Sequence, residues 1–485
     1  MLYDEKMELT IEQFHLALLE SKITVKELVA FYLSRIEQFD AGINAIICIN
    51  PNALQEAENM DIEMAEKGIS RPLFGVPVIL KDNVDTEDMP TTAGSMSLEG
   101  VIPKADGAIV RRLKEAGAII LAKSNLHEFA IWGETISSIK GQTYNPYDLT
   151  RTPGGSSGGT GAGIACNFGL VGIGTDTINS IRSPASANNL VGIRPTIGMV
   201  SRSGIVPYSY TQDTAGPIAR TVSDAVRVLD VIKGYDVTDQ STAWGYVHFE
   251  KPLKASLDLA GLTGKRIGVL KSFFGEEARH DFINMAVRER LRKLEILGAE
   301  VIILDKVFDS EYLVDEVSVH LHDLRDHLNA YLGKLPAKAC VHCVSDVLES
   351  GLYHPGIEAN LQKAMELSTG TAQYRDRLLR REKVRDEVMQ LMASNHLDAL
   401  AYPHQKQLTC KVGDSQNERN GVLASVAGFP SICVPAGFSD PVKTAPVGVP
   451  IGMEIMGRPF GEASLIEIAH ALEMRFPIRK PPVIS

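Results

Sequence analysis

Residues 152–195, TPGGSSGGTGAGIACNFGLVGIGTDTINSIRSPASANNLVGIRP, decide how this chain is read. Gly, Ser and Ala are so frequent here that no period of strand or helix dominates. The stretch reads as a loop, a tightly packed small-residue helix over 158–167, a strand over 170–174 and a second loop. Ser156 lies in the first loop and Ser180 in the second. At both places small neighbours let backbone approach a ligand closely.

Upstream, Val76-Pro77-Val78-Ile79-Leu80 predicts a buried strand that ends at Lys81. Residues 109–116 predict a helix stopped by Gly117, and Ile119-Ile120-Leu121-Ala122 a second strand. Residues 9–40 carry two helices, the second opened by the capping box Thr24-Val25-Lys26-Glu27. Another helix runs over 51–67, with Pro51 at its start and Gly68 as its C-cap. Downstream, 223–233 and 284–297 read as helices, and 266–270 and 301–304 as strands. This alternation predicts an α/β fold. Residues 305–395 are helical, charged and rich in His and Arg, as in an insertion that shapes a pocket mouth. Strand signals return at 397–402, 431–435 and 452–457, before an amphipathic helix over 463–473. No repeat or flexible linker interrupts the chain, so one large domain over 1–485 is expected. Its parts are N-terminal helices (1–70), a core with the chemistry (71–235), a variable, partly helical region (236–395) and the rest of the core (396–485).

With 485 residues, 44% hydrophobic and 22% charged, the chain can bury a sizeable core. Its net charge of −11 argues against a nucleic-acid or anionic-membrane surface. Six cysteines are present, and Cys340-Val341-His342-Cys343 looks like half of a metal site. No further ligand pair stands at a suitable spacing, so no metal is expected. The N-terminus lacks a basic stretch followed by an apolar one, and no apolar run reaches the ~18 residues that span a bilayer. The expected setting is cytoplasmic and reducing.

The loop Gly154-Gly155-Ser156-Ser157-Gly158-Gly159 invites a phosphate-cradling reading. A P-loop needs Gly-Lys and then Ser or Thr, whereas Thr160-Gly161 follows here. The dinucleotide fingerprint lacks its framing strand and distal acid. Two readings remain: glycines packed tightly against a sheet, or a serine held to relay a proton. Around Ser180 the plain reading is a polar loop with a surface ion pair between Asp176 and Arg182. The chemical reading is a nucleophile that shares its loop with backbone oxyanion donors. Lys81 bears on both, because a serine hydroxyl is a weak nucleophile and needs a base. Most of the twelve histidines fall in the helical insertion or on amphipathic helices, and none has a Gly-x-Ser-x-Gly elbow to serve. A lysine buried beside hydroxyls has its neutral form favoured and can accept a proton. The alternative for Lys81 is a structural ion pair with Asp82 or Asp85.

Further motifs join these. They include Gly75-Val76-Pro77 through Lys81-Asp82-Asn83, Thr92-Ala93-Gly94-Ser95, Ala122-Lys123-Ser124-Asn125 and Asn145-Pro146-Tyr147. Gly192-Ile193-Arg194-Pro195-Thr196, Ser201-Arg202-Ser203-Gly204, Gly428-Phe429-Pro430 and Pro435-Ala436-Gly437-Phe438 continue the series. With these the chain resembles the amidase signature family of serine hydrolases, outside roughly residues 235–395. The resemblance implies a mixed, twisted central sheet with helices on both faces. It implies Ser180 as nucleophile, Ser156 as a proton shuttle preceded by a cis peptide bond, and Lys81 as base. Backbone N–H groups of Thr177, Ile178, Asn179 and Ser180 would form the oxyanion hole, with Ser157, Asp176 and Arg182 in support. The implied reaction passes through an acyl-enzyme and needs no cofactor.

One departure from the family pattern is visible. Glycine is usual in the pair before the nucleophile, where Ile178-Asn179 stands here. β-Branched Ile is an outlier at positive φ, whereas Asn tolerates it. Ile178 is therefore expected to keep φ negative and line the acyl pocket. Asn179 would take any left-handed turn and add a side-chain donor. The leading expectation is an amidohydrolase that cuts a small-molecule amide, with aryl, alkyl and peptide amides and carbamates all admissible. A glutaminase subunit of a tRNA-dependent amidotransferase and an inactive binding protein on the same scaffold are the alternatives. The expected partner is a small-molecule amide, and a homodimer is allowed.

Overall fold

The computed structural model describes residues 6–257 and 261–484. The first strands are β1 (Ile46–Ile49), β2 (Pro77–Lys81) and β3 (Ile119–Ser124), followed by a small separate hairpin of β4 (Ile136–Ser137) and β5 (Gly141–Gln142). Then come β6 (Val171–Asp176), β7 (Val191–Arg194), β8 (Thr214–Ala219), β9 (Arg266–Leu270), β10 (Glu300–Leu304), β11 (Ala399–Pro403), β12 (Ser431–Phe438) and β13 (Pro450–Met456). All but the hairpin form one 11-stranded sheet in the order β1-β3-β2-β6-β8-β7-β12-β13-β11-β9-β10. The sheet is mixed. β3, β2 and β6 run parallel, as do β11, β9 and β10, while the strands between them pair antiparallel. β2 is buried at every position, which is why its apolar run is continuous and not alternating.

Helices pack along this sheet. Gly158–Ala165 lies on β2 and β6, Arg182–Ala187 on β7, β12 and β13, and Val222–Ile232 on β8. The Thr24 capping box forms as the sequence predicts, and Gly68 ends Ala53–Lys67 at φ 68. The N-cap of that helix is Asn52, one residue beyond the Pro51 start. Sequence patterning misses β1, β7, β8 and the short helix Arg182–Ala187. β7 and β8 are only four and six residues long, and β8 reads Thr-Ala-Gly-Pro-Ile-Ala, which carries glycine and proline, residues depleted in strands.

The helical region shares buried side chains with the first half of the chain. His320–Leu332, Val344–Ser350 and Glu358–Glu366 bury Leu324, Leu328, Val344 and Leu361 in a core shared with Leu98 and Phe129 from the first half of the chain. No helix among the described residues is long and apolar enough to cross a membrane.

Candidate active site

β2 and β6 are parallel neighbours, so their C-terminal ends open on the same edge of the sheet. Side chains at such ends are free of the ladder and can converge on a ligand. Lys81 ends β2 and Asp176 ends β6. Lys81 is fully buried, with its Nζ 2.7 Å from Ser156 Oγ and 2.9 Å from Thr175 Oγ1. Both carboxylates offered as structural partners are engaged elsewhere. Asp82 lies 3.3 Å from Lys123 Nζ, and Asp85 accepts a hydrogen bond from Tyr331 at 2.8 Å. Burial without a contacting carboxylate pulls the Lys81 pKa down to about 7, although the charges of Asp176 and Asp213 oppose the shift. At neutral pH a large share of this amine is uncharged.

The glycine-rich loop brings Ser156 to that amine. The Gly155–Ser156 peptide is cis. Gly159 admits no side chain, since a Cβ would meet the backbone of Asn125 within 2.3 Å. Its helix can therefore press against the segment after β3. Ser157 ties three pieces together: its N–H donates to Ser180 O at 3.3 Å, its Oγ donates to Thr175 O at 3.2 Å, and Thr175 N donates back to it at 3.3 Å.

Ser180 follows β6 in the loop 177–180. The loop is clamped by a network that has nothing of a surface ion pair about it. Asp176, Arg182, Arg194 and Glu454 are all fully buried. Arg182 donates to both Asp176 oxygens at 3.1 Å, to Ile178 O at 2.7 Å and to Glu454. Arg194 donates to Asp176 at 2.7 Å, and Ser425 to Ile178 O. Burial alone would raise the Asp176 pKa, but the two guanidinium charges overcome it and hold the carboxyl well below its usual range. The clamp is thus charged at neutral pH. Its bonds take up the carbonyl of Ile178, whereas the N–H groups of Thr177, Ile178, Asn179 and Ser180 make no hydrogen bond to the described residues. Four free donors beside a serine suit an oxyanion.

A cavity of about 460 Å³ opens over this loop, lined by residues 177–180 together with Trp132, Tyr208, His320 and Arg419 among others. Ser180 reaches the cavity, and Ser156 and Lys81 lie buried behind it. Ser180 thus stands at the opening, with the hydrogen-bonded pair of Ser156 and Lys81 outside the lining.

The family described as Amidase matches residues 27–466. The chain belongs to the amidase family. Among its relatives, a probable amidase of Arabidopsis thaliana is 37% identical over 98% of this chain and 91% of that protein. A glutamyl-tRNA(Gln) amidotransferase subunit of Thermoanaerobacter pseudethanolicus is 33% identical over 97% and 96%. The crystal structure of the peptide amidase of Stenotrophomonas maltophilia superposes with a TM-score of 0.90 at 32% identity, covering 99% of both chains. This amidase is therefore an amidohydrolase of the amidase signature family.

The Ile178-Asn179 pair fits the loop of this amidase without a left-handed turn. Neither residue has positive φ, so Ile178 meets its expectation and no turn calls on Asn179. Ile178 is half-buried and lines the cavity, and the Asn179 Nδ2 is buried without a partner. Sequence reasoning passes over several residues of the site: Thr175 beneath Lys81, Arg194 and Glu454 in the clamp, and Trp132, His320 and Arg419 in the wall. Arg194 stands in the motif over 192–196, and that motif is its one available signal. His320 hydrogen-bonds Ser318 at 2.6 Å, and burial lowers its pKa to about 3, so it is neutral. His404 lies fully buried against Glu454 at 2.9 Å and does not line the cavity.

Among the described residues the Cys340–Cys343 segment takes part in no group of three metal-ligating side chains. Among the described residues one such group exists, Glu277, His280 and Glu418, whose ligand atoms lie within 4.8 Å of one another. Arg279 bonds both of its glutamates, and the group lines a different cavity from Ser180.

Proposed function

We propose that this protein hydrolyses the C–N bond of a small-molecule amide through Ser180, Ser156 and Lys81. Neutral Lys81 takes the proton of Ser156, which takes that of Ser180 as Ser180 Oγ attacks the amide carbon. The free N–H groups of residues 177–180 receive the oxyanion. The proton returns through Ser156 to the leaving amine, which departs as the C–N bond breaks. Water, deprotonated along the same relay, then splits the acyl-enzyme. Ser157, Asp176 and Arg182 keep the two loops in register.

One observation carries this reading: a wholly buried lysine with no carboxylate in contact, 2.7 Å from a serine hydroxyl. Likeness to a peptide amidase favours peptide C-terminal amides among the candidate substrates. A fluorophosphonate probe tests it. Labelling at Ser180, lost in Ser180→Ala, is expected, whereas an unlabelled wild-type protein would favour an inactive scaffold. The full-length match to an amidotransferase subunit supports a second reading, glutaminase activity. Ammonia release from glutamine, measured alone and against a panel of aryl, alkyl and peptidyl amides, separates the two.

A further inference from the structure

We propose that the substrate carries a carboxylate on the far side of its scissile amide and that Arg419 binds it; this rests on Ser180 being the nucleophile. Three cations line the cavity, Arg419, Lys363 and Arg377, against the single carboxylate of Asp315. That concentration stands out on a chain of net charge −11. Two of the cations are occupied. Lys363 pairs with Glu366 at 2.8 Å, and Arg377 donates to Ser318 O at 2.9 Å and to Asp315 O. Arg419 is not. Its guanidinium lies 6.0 Å above the centre of the Trp132 ring and makes no ion pair or hydrogen bond with a described residue. Glu134 is the acid whose charge acts on it most. That carboxylate is already taken by the N–H groups of Gly133 at 3.1 Å and Gln416 at 2.9 Å, and by Ser415 Oγ at 3.4 Å.

A half-buried guanidinium without a counter-ion is unfavourable unless a ligand supplies one. Its planar fork matches a carboxylate, and the Trp132 ring lies within cation–π reach of it. The cationic wall would also draw an anionic substrate into a cleft of an otherwise acidic protein. Ser180 lines the same cavity, so an acid bound at Arg419 presents its distal amide to the loop 177–180.

The test uses the full chain and two series: monoamides of linear dicarboxylic acids of increasing length, and chain-matched neutral amides. The wild type is expected to favour one or more of the charged amides by about 10–100-fold in kcat/KM. Arg419→Met should bring that ratio toward one, and Arg419→Lys should keep part of it. A wild-type ratio of one or less, or a preference that survives Arg419→Met, overturns the proposal. Turnover persisting in Ser180→Ala would instead sink the nucleophile assignment on which it rests. Should Arg419→Met fail to fold, the wild type still decides. Glutarate should slow fluorophosphonate labelling of Ser180 at concentrations where 1,5-pentanediol does not, and equal protection counts against the proposal.

Discussion

Lys81 and Lys123 sit on the neighbouring parallel strands β2 and β3, each fully buried, one residue apart in register. Lys123 Nζ has a carboxylate, Asp82, at 3.3 Å, with Thr91 Oγ1 and Pro90 O at 3.0 Å. Lys81 Nζ has only hydroxyls and a distant carbonyl. Burial therefore does not make a base. A buried ammonium beside a carboxylate forms a neutral pair, while one beside alcohols gains little from its charge and releases the proton. The carboxylates that act on Lys81, Asp176 and Asp213, are each committed to other donors, Asp176 to Arg182 and Arg194 and Asp213 to Thr177 at 2.5 Å.

Exchanging each lysine for methionine separates the two sites. Lys81→Met should lower kcat/KM for an amide by about 10²–10⁴-fold, the range for a lost general base. Its thermal midpoint should not fall, because the stem stays packed and only an unfavourably buried amine is gone. A loss below tenfold would remove Lys81 from the proton path. Lys123→Met leaves the Asp82 charge buried without its partner and should destabilise the protein by about 3–5 kcal/mol in urea unfolding. Activity per folded molecule should suffer far less than in Lys81→Met. Equal catalytic losses in the two variants would erase the distinction.

The pH profile tests the same contrast. Only neutral Lys81 accepts a proton, and its pKa lies at about 7. Amide kcat/KM should fall about tenfold per unit below that pH and level off above it. Stability is linked with the same sign. The folded chain releases this proton at about 7 and the unfolded chain near 10.5. Between those values the unfolded state binds more protons, so stability rises with pH across that window. Lys81→Met should flatten both curves. A profile already flat from pH 5 to 8 would place the rate-limiting proton elsewhere.

How much of this was legible in the sequence follows from range. β2 and β3 announce themselves because a strand buried on both faces is largely one apolar run, and Lys81 lies at the end of the first. Lys81, Ser156 and Ser180 are readable from local motifs. The clamp is not. Glu454 meets Arg182 across 272 residues, and nothing near either one names the other. Arg419 escaped for another reason: Asn417-Glu418-Arg419-Asn420 belongs to no motif and reads as solvated loop, and only packing against Trp132 gives its charge a meaning. β7 and β8 failed locally, since Gly192, Gly216 and Pro217 erase the apolar pattern of strands that are nonetheless fully buried.

The smallest expected effect concerns the loop between the two alcohols and the substrate. Ile178 keeps negative φ, so the backbone does not need glycine there and the side chain is free to serve as wall. Trimming it in Ile178→Ala removes apolar contact from a half-buried position. About 1 kcal/mol of lost contact corresponds to a roughly fivefold rise in KM for a small acyl group. The turnover number should hardly move, because the N–H groups of 177–180 are set by the Arg182 and Ser425 bonds to the Ile178 carbonyl, which alanine retains. Larger acyl groups should gain from the space. A collapse of kcat with unchanged KM would mean that the isoleucine side chain, and not the buried arginine clamp, shapes the oxyanion donors.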